Sequence, residues 1–488
     1  MAEQLSVLER YPDYEITIGI EVHVQLATKS KIFCPCSTAV SEGPNKNICP
    51  ICAGYPGVLP VLNHEVVTFG IMTGVATNCT INEQSEFARK HYFYPDLPKG
   101  YQITQSDKPI CSDGFIAIHQ EDGTPKQVRL IRIHIEEDAG KNIHSAVSNE
   151  SFVDLNRAGT PLLEIVSHPD IANAYEARAY LKALHSIVTY INVCSGNMEE
   201  GAFRADTNIS VRKKGEQKLG TRCELKNINS FKFIGDAIEY EAERQINILE
   251  SGQKIRQETR LWDTKTHKTE PMRGKEEAAD YRYLPEPDLS PIVIEQKTIE
   301  EIKKNLPELP DQKHERLKTD YNLSDYEAEI LINNPDIANY YEMAAKFVHS
   351  KLLINWVLRD VVGYSKESKI ELSQLLLTPA LLAELVALIE NNIINSRTAQ
   401  DVFAHVITTG DSPTQYVEQH DLKQVGNTAE LEKIIQDIIT ANPQQVAGYK
   451  AGKEKLFGFF VGQAMTKTQG KANPQIIQEL IKKLLNNA

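Results

Sequence analysis

The 488 residues carry 66 acidic against 53 basic side chains, a formal charge of −13, with 41% hydrophobic and 24% charged residues. That balance supplies ample apolar material for a core, predicts two to four domains and argues against indiscriminate nucleic-acid binding. No run of about 18 apolar residues occurs, so no membrane span is expected; the Met1-Ala-Glu-Gln-Leu5 start lacks signal- or transit-peptide character, and the cytoplasm is the expected location.

From Tyr14 to Leu26 apolar and polar residues alternate strictly. Ile16, Ile18, Ile20, Val22, Val24 and Leu26 fall on one side, and Glu15, Thr17, Glu21, His23 and Gln25 on the other. A period of two predicts a half-buried strand that projects Glu21 and His23 from one face. Cys34, Cys36, Cys49 and Cys52 follow, spaced C-x-C-x12-C-x2-C. Two close pairs separated by such a loop suit a structural tetrahedral Zn²⁺ site. Free structural cysteines are the other reading, and disulfides are disfavoured in a cytosolic chain. The isolated Cys79, Cys111, Cys194 and Cys223 read as small core residues.

Alternation returns between Val128 and Asp138, with Ile131, Ile133 and Ile135 expected inward and Arg132, His134 and Glu136 outward. His134 suits a ligand or a satisfied core histidine, and Glu137 and Asp138 suit solvent-facing turn residues or ligands. From Phe203 to Arg212, the residues Arg204, Asp206, Asn208, Ser210 and Arg212 share a face, and Arg222, Glu224 and Lys226 continue in phase. One such strand is simply the wet side of an antiparallel sheet. Four strands that repeat carboxylate, His and Asn, interleaved with Arg and Lys, point to a cleft holding Mg²⁺ or Mn²⁺ and handling phosphate.

The prolines of Tyr283-Leu-Pro-Glu-Pro-Asp-Leu-Ser-Pro291 end the strand-rich part. Beyond them a helix is expected over Leu376–Ile394, opened by Thr378-Pro379. A break follows at Gly410-Asp-Ser-Pro413, and an amphipathic closing helix after Asn473-Pro474 carries Ile476, Ile477, Leu480, Ile481, Leu484 and Leu485 on one stripe. The expected fold is α+β. It comprises an antiparallel-sheet cradle over 1–292 with a zinc-binding insertion around 33–54, a helical connector over 293–410 and a small helical tail over 411–488. From residue 441 onward Lys450, Lys453, Lys455, Lys467, Lys471, Lys482 and Lys483 face only Glu454 and Glu479, a local basic excess on an acidic background. No P-loop, G-x-G-x-x-G helix opening or G-x-S-x-G elbow is present.

Several longer stretches carry a resemblance. Ile20-Glu-Val-His-Val-Gln25, Tyr92-Phe-Tyr-Pro-Asp-Leu-Pro-Lys-Gly-Tyr-Gln102, Asp154-Leu-Asn-Arg-Ala-Gly-Thr-Pro-Leu-Leu-Glu164, Met198-Glu-Glu-Gly201, Lys226-Asn-Ile-Asn-Ser-Phe231 and Asp280-Tyr-Arg-Tyr-Leu-Pro-Glu-Pro-Asp288 resemble the B subunit of the tRNA-dependent amidotransferase GatCAB. Gly452-Lys-Glu-Lys-Leu-Phe-Gly-Phe-Phe-Val-Gly462 and Gly470-Lys-Ala-Asn-Pro474 resemble that family's YqeY-like tail. The resemblance implies ATP-dependent phosphorylation of the side-chain carboxylate of Glu or Asp misacylated onto tRNA(Gln) or tRNA(Asn). Ammonia supplied by an amidase partner, the A component of a heterotrimer, then completes the amide, and a small C component joins the two.

It further implies a catalytic, Mg²⁺- or Mn²⁺-binding role for Glu21, His23, Glu136 and Asp206. Phosphate or carboxylate contacts fall to Arg157, Arg204, Glu224 and Lys226, and tRNA phosphate contacts to Lys450, Lys453, Lys455, Lys467 and Lys471. Tyr92, Tyr94 and Tyr101 are expected to stack on the tRNA acceptor end or to pack within their own loop. Ala202-Phe-Arg-Ala-Asp206 departs from the Ser-Leu-Arg-Cys-Asp-like run expected there, which leaves the charged positions intact and removes any Ser or Cys chemistry. The competing expectations are the E subunit of the archaeal enzyme built from two chains and a non-catalytic tRNA-holding scaffold.

Overall fold

The computed structural model describes residues 5–144, 150–272, 280–424, 428–450, 452–453, 455–468, 472 and 474–487, and the chain divides into two compact units, Met1–Pro310 and Asp311–Ala488. In the first unit the strands are β1 (Tyr14–Gln25), β2 (Thr80–Ile81), β3 (Gln84–Ser85), β4 (Ala88–His91), β5 (Tyr101–Thr104), β6 (Cys111–His119), β7 (Pro125–Glu137) and β8 (Lys141–His144). They continue as β9 (Ser151–Asp154), β10 (Pro161–Ser167), β11 (Phe203–Lys213), β12 (Cys223–Lys226), β13 (Thr259–Asp263), β14 (Lys268–Pro271), β15 (Leu284–Pro285) and β16 (Ile292–Val293). Its helices are α1 (Val7–Arg10), α2 (His64–Ala76), α3 (Ala174–Tyr190), α4 (Phe231–Glu250) and α5 (Gln296–Asn305).

Nine strands form one sheet in the order β14-β13-β12-β11-β1-β10-β7-β6-β2. Neighbours are antiparallel except β12 and β13. One face is apolar: Ile16, Ile18, Ile20, Val22 and Val24 of β1, Leu163 and Ile165 of β10, and Ile209 and Val211 of β11 join residues of α2, α3 and α4 in a single core. Asn63, Asn173 and Ser230 cap those three helices, each accepting a backbone N–H. With the helices on one side, the alternation that sequence reading detects leaves the other side for polar groups, and the α+β expectation holds.

Strand β7 corrects one detail of that reading. Ile133 and Ile135 are buried, but Ile131 is 39% exposed. Val166 pairs with Arg132 and Ser167 with Leu130, so Ile131 is the extra residue of a β-bulge. A bulge shifts the alternation by one, and the inward set before it becomes Val128 and Leu130.

The proline-rich segment is also more ordered than its composition predicts. β15 pairs with β4 and β16 with β3. Between them the buried Glu286 carboxylate takes Arg89 through two 2.8 Å bonds. Ile299 and Ile302 of α5 and Leu306 and Leu309 beyond it then pack on the first unit's core.

The second unit is helical among its described residues. The predicted helix runs Pro379–Glu390, with Thr378 as its cap and Pro379 at its first turn. Gly410, at φ +76°, closes the helix Ser396–Thr409, and Ser412 caps Pro413–Gln419. The closing helix is Pro474–Asn487. Two separate apolar clusters form, one around Leu353, Val357, Leu385 and Val402, the other around Leu431, Phe460, Ile477 and Ile481. Among the described residues no helix is long and apolar enough to cross a membrane.

Candidate metal and phosphate site

The polar face concentrates chemistry where β11, β1, β10 and β7 lie side by side. Their registers align a transverse row, since His23 stands opposite Arg204 on one side and Glu164 on the other, and Glu164 opposite His134. His23 Nε2 lies 3.3 Å from Glu164 Oε2 and 3.6 Å from Glu136 Oε1. Ligand atoms of His23, Glu136 and Glu164 all fall within 4.8 Å of one another, the spacing a single cation could bridge. One imidazole and two carboxylates form a hard donor set with room for further ligands, which fits Mg²⁺ or Mn²⁺.

The electrostatics favour a charged cluster. Burial opposes ionisation of Glu164, but His134 and His23 outweigh it and hold its carboxyl well below the usual range. Glu136 is lowered against burial in the same way. Burial also opposes a charge on His23, and Glu164 and Glu136 overcome it, raising its pKa. For His134 the same two carboxylates overcome burial and draw the pKa up to about 9. On its other side the ring meets Arg132, whose Nε lies 3.3 Å from His134 Nδ1.

Of the four residues expected to bind metal, His23 and Glu136 meet, with Glu164 as their third partner. Glu21 and Asp206 do not join that group. They face each other one step along the sheet, where Glu21 Oε1 accepts from Asn208 Nδ2 at 3.0 Å. Asp206 Oδ2 accepts from Lys226 Nζ at 2.8 Å, and Lys226 also lies 3.0 Å from Glu224 Oε1. Burial first, then Glu164, Glu224 and Asp206, raise the Glu21 pKa. Lys226 is raised too, its carboxylate partners outweighing burial.

The arginines meet at Asp138. Arg204 Nη2 donates to Asp138 Oδ2 at 2.9 Å, and Arg157 Nε lies 3.4 Å from the same oxygen. Arg157 also donates to the carbonyls of Ala139 and Gly140 at 3.0 and 2.7 Å, which ties it to the loop. Glu137 and Asp138 are buried rather than solvent-facing. Glu137 Oε1 accepts from the Ile103 N–H at 2.8 Å and pairs with Lys99, because β5 lies against the end of β7. The tyrosines run along this wall: Tyr92 stands edge-on to Tyr94 and Tyr281, and Tyr101 lies beneath the Arg89 guanidinium at 4.4 Å. Tyr94 and Phe93 remain exposed.

Sequence reading missed Glu164 as a member of this cluster. The signal available was a lone carboxylate in the apolar run Pro161-Leu-Leu-Glu-Ile-Val166, an environment that seldom accepts an unpartnered charge.

The four predicted cysteines come together as expected, their sulfurs within 4.8 Å of one another. Cys49 and Cys52 Sγ are 4.0 Å apart, close to the ~3.8 Å edge of a tetrahedron with Zn–S bonds of about 2.3 Å. A hydrogen bond from Cys34, then backbone and Lys31 contacts, bring Cys52 down to about 4 against burial, while burial first pushes Cys36 up to about 11. Lys31 is wholly buried, and its Nζ donates to Asn47 O at 2.7 Å, Leu155 O at 3.2 Å and Cys52 Sγ at 3.5 Å. A buried ammonium needs an anion beside it, and a metal-bound tetrathiolate would supply one. Gly54, at φ +67°, closes the knuckle where an added Cβ would strike Lys99 at 2.9 Å.

The family model of the GatB/GatE catalytic domain matches residues 16–300, and that of the GatB domain matches residues 339–485. The chain belongs to the GatB/GatE family. It is 52% identical over 478 residues to the B subunit of the aspartyl/glutamyl-tRNA(Asn/Gln) amidotransferase of Geotalea daltonii, covering 97% of this chain and 99% of the relative. The proteins of the same name from Solidesulfovibrio magneticus and Persephonella marina are each 50% identical, with 97% of this chain covered and 99% and 100% of the relatives. As a family member the chain is an amidotransferase subunit of the B type.

In the part matched by the GatB domain, Lys450 ends the helix Pro443–Lys450, and Lys455 and Lys467 bound the helix Lys455–Lys467. These three and Lys453 are exposed. Lys471 lies outside the described residues.

Proposed function

We propose that this chain performs the activating half of a tRNA-dependent transamidation. The γ-phosphoryl group of ATP passes to the side-chain carboxylate of a glutamate or aspartate misacylated onto tRNA(Gln) or tRNA(Asn), releasing ADP. Ammonia then attacks the acyl carbon and phosphate leaves, so the product is the amide. A carboxylate is a poor acyl donor because its oxygen leaves badly, and phosphorylation corrects that. Such transfer rests mainly on positioning and on neutralising charge.

The observation that carries the reading is the meeting of His23, Glu136 and Glu164 on the same sheet face as Lys226 and Arg204. His23, Glu136 and Glu164 would hold a divalent cation, which supplies charge neutralisation for the phosphates. Lys226, held by Asp206 and Glu224, presents an ammonium to the transferred group, and Arg204 a guanidinium anchored on Asp138. Glu21 and Asp206 serve as a second carboxylate pair beside the first. The cysteine cluster holds structural Zn²⁺. We assign the ammonia to an amidase partner, the A component, joined through a small C component, and tRNA phosphate contacts to Lys450, Lys453, Lys455, Lys467 and Lys471. We place the end of the cradle near Pro310 rather than at 292, since α5, Leu306 and Leu309 pack on its core, and the start of the tail after Leu422 rather than at 411, since Val417 and Leu422 join the connector's apolar cluster.

The test uses the complex of this chain with its A and C partners, Glu-tRNA(Gln) and γ-labelled ATP, with every ammonia source withheld. Wild type should place label on tRNA in a hydroxylamine-sensitive linkage, and Glu164→Gln should abolish it. No such label with wild type, or undiminished label with the variant, would overturn the reading.

A further inference from the structure

The proposed reaction leaves His134 without a role. This ring is 4% exposed and sits between a guanidinium and two carboxylates. Arg132 Nε lies 3.3 Å from Nδ1, while Nε2 lies 3.5 Å from Glu164 Oε2 and 3.7 Å from Glu136 Oε2. An arginine only donates hydrogen bonds. Ionised carboxylates only accept, so the ring meets them as a donor through Nε2.

The consequence for Glu136 is orientation. Its Oε2 faces His134 and, at 3.3 Å, the hydroxyl of Thr104, leaving Oε1 to face His23 at 3.6 Å. One oxygen is held from behind and the other is turned into the cluster. Glu164 Oε2 lies between the two histidines, 3.3 Å from His23 Nε2 and 3.5 Å from His134 Nε2. The two imidazoles thus play different parts. His23 becomes a ligand only with a lone pair at Nε2, whereas His134 offers a hydrogen there. The bulge at Ile131 lies immediately before Arg132, the kind of irregularity that re-aims side chains beside active sites.

We infer that His134 is a positioning residue that aims Glu136 and Glu164 at the cation. This rests on the metal-site reading above. Partners that orient ligating carboxylates in this way are worth about 10–100-fold in metal affinity.

The experiment is a Mn²⁺ titration of the full chain, its cysteine cluster zinc-loaded, followed by the electron paramagnetic resonance signal of free Mn²⁺. His134→Phe keeps the ring volume and removes the donor, and should weaken binding about 10–100-fold. His134→Gln keeps an N–H donor near the Nε2 position and should restore affinity to within a few-fold of wild type. If His134→Phe binds Mn²⁺ as wild type does, or folds and binds no more weakly than His134→Gln, the inference fails. Should His134→Phe not fold, His134→Leu takes its place: binding 10-fold or more weaker than in His134→Gln supports the inference, and anything less overturns it. A failure of the metal site itself reads differently, because wild type and Glu164→Gln would then titrate alike.

Discussion

The cysteine cluster and the histidine–carboxylate cluster lie in the same unit and bury charge in opposite ways. Cys34, Cys36, Cys49 and Cys52 offer four sulfurs and no further position, backed by the fully buried Lys31. His23, Glu136 and Glu164 offer three hard donors, with His23 keeping 21% of its side chain exposed, and share their sheet face with Arg204 and Lys226, each paired with a carboxylate. Closed sulfur sites fasten a fold, whereas open oxygen and nitrogen sites leave room for substrate. The two should fail in different ways when broken.

Breaking the sulfur site should cost most in stability. Cys52→Ser removes one thiolate and leaves Lys31 without its sulfur partner, two losses that act together. Structural zinc accounts for about 10–16 kcal/mol of apparent binding free energy in small fingers. In this larger unit we expect a destabilisation of several kcal/mol with loss of zinc, read by metal analysis and thermal unfolding. Retention of stoichiometric zinc and an unchanged unfolding midpoint would show that the cluster is not a fastener.

Breaking the oxygen site should do the reverse. Glu164→Gln keeps the shape but removes the carboxylate that faces both histidines, so unfolding should shift by about 1.5–3 kcal/mol, less than at the sulfur site. Phosphoryl transfer should fall by about 10²–10³, the scale of losing one preorganised electrostatic group. A large fall in stability with activity intact would reverse the assignment of the two clusters.

Glu241 sharpens the contrast as a carboxylate that is buried without facing a cleft. It is wholly buried and bonded to Arg244 at 2.6 Å, Gln245 at 2.9 Å and Thr269 at 2.8 Å. Burial opposes its charge, and Arg244 with the neighbouring donors outweighs it, so its pKa lies below the ordinary 4.5. A depressed folded pKa contributes stability at neutral pH that is lost as pH falls from about 4.5 through the folded value. Glu241→Gln should cost about 3–5 kcal/mol at pH 7, as when one partner of a buried pair is removed, and should flatten that acid limb. Chemical unfolding from pH 7 to pH 3 measures both, and parallel curves for variant and wild type would refute the account.

How much of this was legible from residues alone follows from the same physics. Period-two alternation exposes a strand's faces when one of them is wet, and β1, β11 and β12 were readable for that reason. Cysteine spacing made the sulfur site visible because its ligands are close in sequence. Glu164 escaped because β10 lies between β1 and β7 and is apolar around it, so its carboxylate looks isolated until the register sets it beside His23 and His134. Ile131 misled because a bulge inserts one residue without changing composition. Glu137 and Asp138 were ambiguous because their burial comes from β5 and the 155–160 loop, contacts that alternation does not encode.

The smallest expected effect lies in the other unit, where the tail lysines are exposed and no metal-binding group of residues forms among the described residues. Lys453→Glu combined with Lys455→Glu reverses two solvated charges, so unfolding should be unaffected. If these lysines meet tRNA phosphate, the tRNA KM should rise several-fold at low salt while kcat stays near wild type. The slope of log KM against log salt should flatten by roughly 0.7–0.9 for each phosphate no longer neutralised. Mn²⁺ affinity at the cradle should not move, which separates a docking loss from damage to the active face. An unchanged KM and salt slope would leave these lysines as an ordinary solvated surface, and tRNA affinity would then have to come from the cradle itself, where the exposed Phe93 and Tyr94 beside the carboxylate face become the next residues to change.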